Sequence, residues 1–219
     1  FKTPLRLNDT SPSIDGTILF NLARVHHNQG NYDDALGLYK RSLRALENGT
    51  SSSASVCCDE PLTLAILFGI GQIQYARGDH SDSLKTYMTS LNFSRTKFGE
   101  ESLEVAACLN CIGVLHYIMP KGDSDIALES LESSIAIRRT LLGDLHIHVG
   151  TAWNNIGRIC FQQGKYGLAM DSYRKALRIR RLEQGDSVDV AATIFNIGQV
   201  NHQQGDRDRA LRHYQEFLK

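Results

Sequence analysis

The sequence predicts an all-α fold built from five antiparallel helix hairpins, and three observations predict it. The first is a register of small residues. Ala23, Gly71, Gly113, Gly157 and Gly198 start the count, and a glycine follows seven residues later at Gly30, Gly78, Gly164 and Gly205, with Gly122 two residues late in the third copy. Five residues beyond each of these comes Ala35, Ser83, Ala127, Ala169 or Ala210, and four further on Tyr39, Tyr87, Leu131, Tyr173 or Tyr214. The second is energetic. A glycine inside a helix costs about 1 kcal/mol relative to alanine, so four at one register make sense where another helix crosses at close range. Ala23 at the same place says that the position demands smallness. The third is the lack of any apolar/polar alternation of the kind a half-buried strand needs, in a chain with only 4 prolines to interrupt long helices.

The clearest copy runs from Thr151 to Arg181, with Gly164-Lys165-Tyr166 as its turn and Tyr173 as the large residue that locks the pair. Taken in order, residues 1–12 read as an N-terminal tail, with Ser11-Pro12 as a helix cap and first helical position. The hairpins then fall at about 13–47, 61–98, 103–142, 148–183 and 188–219, with a Ser-rich loop at 48–60. Pro61 opens the second hairpin. Pro120-Lys121 lengthens the third turn, because a proline ends the helix before it. The chain begins with Phe1 and ends at Lys219 inside a predicted helix, which reads as an excerpt of a longer protein.

Composition narrows the function classes. Hydrophobic residues at 42% suffice for a continuous core. The 24 basic and 24 acidic side chains cancel, which removes the usual electrostatic support for nucleic-acid binding. No apolar run approaches the ~20 residues of a membrane span, so direct membrane insertion is not expected. Five cysteines form an odd set without framework spacing. Cys108, Cys111 and Cys160 lie in helical patterns and read as small apolar residues, which fits a reducing, cytoplasmic location.

The register resembles the tetratricopeptide repeat, a helix-turn-helix unit of about 34 residues. Here the spacing is longer: 42 from Gly71 to Gly113, 44 to Gly157 and 41 to Gly198. That length is similar to the kinesin light chain subclass, whose repeats carry Asn-Asn-Leu-Ala in the first helix and a Leu-Gly-x-x-His-Pro loop. Asn154-Asn155-Ile156-Gly157 matches the former, and Leu142-Gly143-Asp144-Leu145-His146 the latter, with Ile147 in place of proline. The resemblance covers about Ile14 to Lys219, and the second copy departs from it with Gly69 where the asparagine belongs. It implies a right-handed superhelical solenoid, the first helix of each hairpin lining a concave groove.

Positions three before, one after and four after the small residue share a helix face. They hold Phe20, Arg24 and His27; Phe68, Gln72 and Tyr75; Asn110, Val114 and Tyr117; Asn154, Arg158 and Phe161; and Phe195, Gln199 and His202. In kinesin light chains the matching asparagines bind the backbone of an extended peptide, which by resemblance makes Asn21, Asn110, Asn154, Asn155 and Asn196 the peptide contacts. Some tetratricopeptide domains clamp a chaperone C-terminal carboxylate with lysines, but those positions hold Phe20, Phe68 and Asn110, so no such clamp is expected.

Other chemistry finds little support. His146, His148 and Asp144 lack a further ligand at metal-binding spacing, and no nucleophile elbow, phosphate loop or dinucleotide fingerprint is present. Arg138-Arg139 and Arg178 to Arg181 fall on second helices and read as solvated faces. The expectation is a non-enzymatic scaffold without cofactor or metal that holds a protein or peptide segment in its groove. Alternatives left open are the cargo-binding domain of a kinesin light chain-like adaptor, a regulatory domain of a larger enzyme, and a structural subunit of an assembly.

Overall fold

The computed structural model describes residues 12–49, 60–185 and 187–218. Cys57, Cys58, residues 1–11 of the expected tail and most of the Ser-rich loop lie outside them. Ten helices and no strand occur among the described residues. They are α1 (Pro12–Asn28), α2 (Tyr32–Gly49), α3 (Glu60–Arg77), α4 (His80–Phe98), α5 (Leu103–Ile118), α6 (Ser124–Leu142), α7 (Ile147–Gln162), α8 (Tyr166–Gln184), α9 (Val188–Gln203) and α10 (Arg207–Phe217). The observed ends fall within about two residues of those expected from periodicity. The chain divides into two compact units, Phe1–Lys97 and Phe98–Lys219.

In the Phe1–Lys97 unit, α1 packs on α2 through the fully buried Ala23 and Ala35, and Tyr39 is 2% exposed beside them. Ser42, also fully buried, donates its hydroxyl to the Gly16 carbonyl at 2.6 Å. One hairpin on, the Ser83 hydroxyl donates to the Gly71 carbonyl at 2.9 Å. Each serine meets an acceptor on the facing helix, so a polar residue sits in the joint without an unpaired buried group. Tyr39 also reaches α3. A Cβ at Gly69 would lie 2.5 Å from its ring, which is the physical reason the second copy has glycine where the repeat pattern asks for asparagine.

The Phe98–Lys219 unit repeats the device three times. A Cβ at Gly113 would lie 2.8 Å from Leu131 and 2.9 Å from the Ala127 carbonyl; at Gly157, 2.6 Å from the Tyr173 ring; at Gly198, 2.7 Å from the Tyr214 ring. The large residue of each second helix thus fills the space the small residue leaves. Burial, reinforced by nearby Tyr117, pushes the Tyr173 phenol well above its ordinary pKa, so the ring packs as a neutral group. The core continues through Val149, Ala152, Ile156, Ile159 and Ile197. Three helix starts carry side-chain caps that the sequence reading did not single out: Ser102 accepts from the Val105 amide, Asp123 from Asp125 and Ile126, and Ser187 from Val190.

Four turns share one conformation. Gly30, Gly78, Gly164 and Gly205 have φ of 79°, 83°, 72° and 82°, the left-handed cap that glycine adopts without a Cβ penalty. Gly122 differs. It has no positive φ, and it is glycine because a Cβ there would stand 1.8 Å from the His116 carbonyl oxygen.

Two arginines correct the sequence reading. Arg138 and Arg180 are 7% and 5% exposed, not solvated. Arg138 donates to the His148 carbonyl at 3.0 Å. Arg180 donates to the Asp189 carbonyl at 2.9 Å and to the Thr193 hydroxyl at 2.6 Å. Each ties a second helix to the next first helix, α6 to α7 and α8 to α9. Burial lowers the pKa of both. Their 42-residue separation was visible in the sequence, but adjacency to Arg139 and Arg181 concealed that one of each pair turns inward.

His27 gives a pH prediction. It is half-buried, its ring 6.0 Å from Tyr32 and 6.3 Å from Tyr39. Burial lowers its pKa below the ordinary histidine value, and His148 is lowered first by burial and then by Arg138 and His146. The unfolded chain therefore binds these protons more readily. The stability they contribute is full above about pH 6.5, the unfolded value, and is lost as pH falls through the lower folded values. The melting temperature at pH 5.5 is expected below that at pH 7.5, and His27→Gln should narrow the gap; an unchanged gap on thermal melts would remove His27 from this role.

Candidate functional site

The expected groove residues lie on first helices, and each unit presents its own set. In Phe1–Lys97 these are α1 and α3, which are in contact. Asn21, Arg24 and Gln72 are exposed, and Tyr75 is 41% exposed. Phe20 is half-buried with its ring 5.9 Å from Tyr39, and the Arg24 guanidinium lies 5.6 Å from the Phe20 centroid. Phe68 stands edge-on to Tyr87 at 5.3 Å. Both phenylalanines rest against the tyrosine of the following helix, which leaves less of each ring for a ligand.

In Phe98–Lys219 the first helices are α5, α7 and α9, with α7 touching both neighbours. Asn110, Asn154, Asn155 and Asn196 are all half-buried. The Asn196 amide donates from Nδ2 to Oδ1 of Asn154 at 3.3 Å, linking α9 to α7. Asn110 Oδ1 is buried and has no hydrogen-bond partner among the described residues. Below this row Arg158, exposed, sets its guanidinium 5.0 Å from the Tyr117 centroid, linking α7 to α5. Val114 and Gln199 are half-buried, and His202 is exposed. Phe161 leans on Tyr166 at 5.7 Å, while Phe195 lies 5.5 Å from Tyr214 and 5.3 Å from Phe217 and remains 37% exposed.

The result is a strip in which amides from neighbouring helices form a row with an aromatic–cation pair beside it. Neutral amides carry both a donor and an acceptor, so such a row can pair with main-chain N–H and C=O groups of an extended chain. Asn110 Oδ1 is itself closed to solvent, so within this row it is the half-buried Asn154–Asn196 pair that a ligand chain can reach. Sequence reasoning missed the Asn154–Asn196 bond. The two are not at one register position: Asn154 stands three residues before Gly157 and Asn196 two before Gly198, so counting did not pair them.

No group of three or more metal-ligating side chains occurs among the described residues. His146 has a structural task instead: its Nδ1 accepts the His148 amide at 3.2 Å and caps α7. Among the described residues no helix is long and apolar enough to cross a membrane. Cys108 and Cys160 are buried and in no disulfide among the described residues, and burial raises the pKa of Cys160, which leaves it protonated and inert.

Comparison with known proteins gives the family. Models described as tetratricopeptide repeat match residues 18–52, 115–182 and 149–219, more than half of the chain. A clustered mitochondria protein homolog of Danio rerio is 27% identical over 130 residues, 59% of this chain but only 9% of the length of that relative. Among solved structures, BtubC (BKLC) from P. vanneervenii is similar with a TM-score of 0.79 at 20% identity, covering 94% of this chain and 80% of its own. A putative kinesin light chain from Podospora anserina with nearly identical TPR-like repeats gives 0.72 at 16% identity, covering 95% of both chains. A Rap protein complexed with competence and sporulation factor gives 0.73 at 18% identity, covering 96% of this chain and 55% of its own. Identities this low show the fold alone, which is that of the tetratricopeptide solenoids. With the repeat models matching most of its hairpins, this chain belongs to the tetratricopeptide repeat family.

Proposed function

We propose that this chain is a non-enzymatic scaffold that holds an extended peptide segment along the first helices of its Phe98–Lys219 unit, with the amides of α5, α7 and α9 as the main contact. Tetratricopeptide repeats are protein–protein interaction modules, and the peptide role is the finer reading. The observation that carries it is the Asn154–Asn196 amide bond between α7 and α9, with Arg158 one turn on along the same face of α7. Backbone hydrogen bonds would supply affinity, and the partly exposed ring of Phe195 would supply side-chain selectivity. A Rap protein of the same fold was solved with a bound factor, which supports a ligand-holding role. No cofactor and no chaperone-tail clamp belong to this reading, since the clamp's lysine positions hold Phe20, Phe68 and Asn110. The cytoplasm suits it, where Cys108, Cys111 and Cys160 stay reduced.

The test is a peptide-display selection on the immobilised domain, followed by titration of the selected peptides. Asn154→Ala with Arg158→Ala should weaken them tenfold or more, because both side chains face the strip. Stability should fall by no more than about 2.5 kcal/mol, since an exposed cation–π contact contributes about 0.5–1 kcal/mol and the Asn154–Asn196 hydrogen bond about 0.5–1.5 kcal/mol. Unfolding of that variant, or unchanged affinity, would refute the assignment.

A further inference from the structure

The second helices of the Phe98–Lys219 unit carry a recurring crevice. One copy, about 260 Å³, is lined by Arg139, Trp153, Lys175 and Arg178. The next, about 600 Å³, is lined by Arg181, Ile194, Glu216 and Phe217. The two correspond in register: Arg139 to Arg181, Trp153 to Ile194, and Lys175 to Glu216. In each, the register arginine already holds a carboxylate of this chain, Arg139 that of Asp144 and Arg181 that of Glu216.

Charge separates them. Glu216 supplies the counter-ion in the second crevice. At the same position the first has Lys175, whose ammonium lies 4.0 Å from the Trp153 ring centroid. Arg174 and Arg178 are exposed and have no ion pair among the described residues. They continue into a shallow depression of about 460 Å³ shared with Arg181, Leu177 and Leu182, and Leu182 is 63% exposed. Arg174, Arg178 and Arg181 stand at i, i+4 and i+7, a single stripe of α8 about 10 Å long. A chain with no net charge thus places on one helix face two cations without an ion pair among the described residues, and a third that holds Glu216, beside the exposed Leu182.

We propose that this stripe is a second binding site, separate from the amide row, for an acidic amphipathic segment of another protein. Carboxylates one and two helical turns apart pair with Arg174, Arg178 and the crevice cations, and an apolar side chain covers Leu182. Carboxylate is the chemistry this register already accepts, as Asp144 and Glu216 show. A guanidinium takes a carboxylate bidentately. A stripe this short offers a nucleic-acid strand far fewer than the six to ten phosphate contacts that give typical affinity.

The probe is a fluorescein-labelled, alanine-rich helical peptide with glutamates at i, i+4 and i+7 and a leucine at i+8, titrated by anisotropy in low salt. Wild type should bind it in the micromolar range. A peptide of the same composition with its glutamates spread around the helix, and a glutamine version, should bind at least tenfold more weakly. Arg174→Glu with Arg178→Glu should weaken binding tenfold or more, and Arg178→Gln several-fold. Lys40→Glu with Arg41→Glu, an equal charge change on α2, should leave it within twofold. Asn154→Ala with Arg158→Ala should also leave it unchanged, so failure here and failure of the amide row remain distinguishable. The proposal falls if wild type does not bind the peptide, if the two control variants weaken it as much as the α8 variants do, or if oligouridine RNA or phosphatidylserine vesicles bind more tightly than the peptide and lose binding with the same arginines.

Discussion

Gly157→Leu is expected to lower the unfolding free energy by about 3 kcal/mol, the upper part of the usual range for overpacking a filled core. The reason is geometric. A Cβ at residue 157 would stand 2.6 Å from Tyr173 Cε1 and 2.7 Å from its Cδ1, and Tyr173 is 2% exposed with its ring held in the main cluster. The ring cannot swing away without opening the α7–α8 joint. Only the neighbouring hairpins share that joint, and stability in repeat proteins is approximately a sum of local terms, so the loss should concentrate in the Phe98–Lys219 unit. Urea melts should show it, with amide exchange protection falling first in α7 and α8. In the double variant with Tyr173→Ala, the penalty of the leucine should shrink by more than half, because the clashing partner is gone. Additive losses in that cycle would show that the two side chains do not meet.

Gly122→Ala is expected to cost about 2–3 kcal/mol, more than the same change at the other turns. A Cβ at Gly122 meets a backbone oxygen at 1.8 Å, with the Met119 carbonyl at 3.0 Å behind it. No rotamer relieves a clash with backbone, so the turn between α5 and α6 must rebuild and forfeit the Gly122 to Met119 hydrogen bond of 2.9 Å. Gly164→Ala is the comparison. Nothing lies within 4 Å of its Cβ site, and its φ is +72°, so the cost is conformational strain of about 1–2 kcal/mol. Thermal melts of the two variants side by side check the order. A Gly122→Ala protein as stable as Gly164→Ala would mean that the close approach to His116 is absent.

The placement of the candidate strip on first helices was legible beforehand for the same reason the hairpins were. A first-helix face is fixed by counting from the small residue, and the count put Asn110, Asn154 and Arg158 on one face before any coordinates. Counting does not report what lies across the gap. It could not say that Phe20 and Phe68 lean on Tyr39 and Tyr87, leaving less aromatic surface for a ligand. Nor could it choose, in Arg138-Arg139, the arginine that turns inward to the His148 carbonyl. Adjacent helix positions differ by about 100°, so a run of charges conveys polarity while concealing direction.

The sequence by itself determined the hairpins, their turns and their number, because helix length, left-handed glycine caps and small-residue register are local properties written at fixed spacing. The tertiary structure alone decided which glycines answer to a neighbour. Gly69 yields to the ring of Tyr39, and Gly122 to a carbonyl of its own turn. It alone also brought Asn154 to Asn196 and left Asn110 without a partner. Apart from the Gly122 turn, these depend on distances between segments about thirty to forty residues apart, and in a repeat fold such distances are set only when one hairpin packs upon the next.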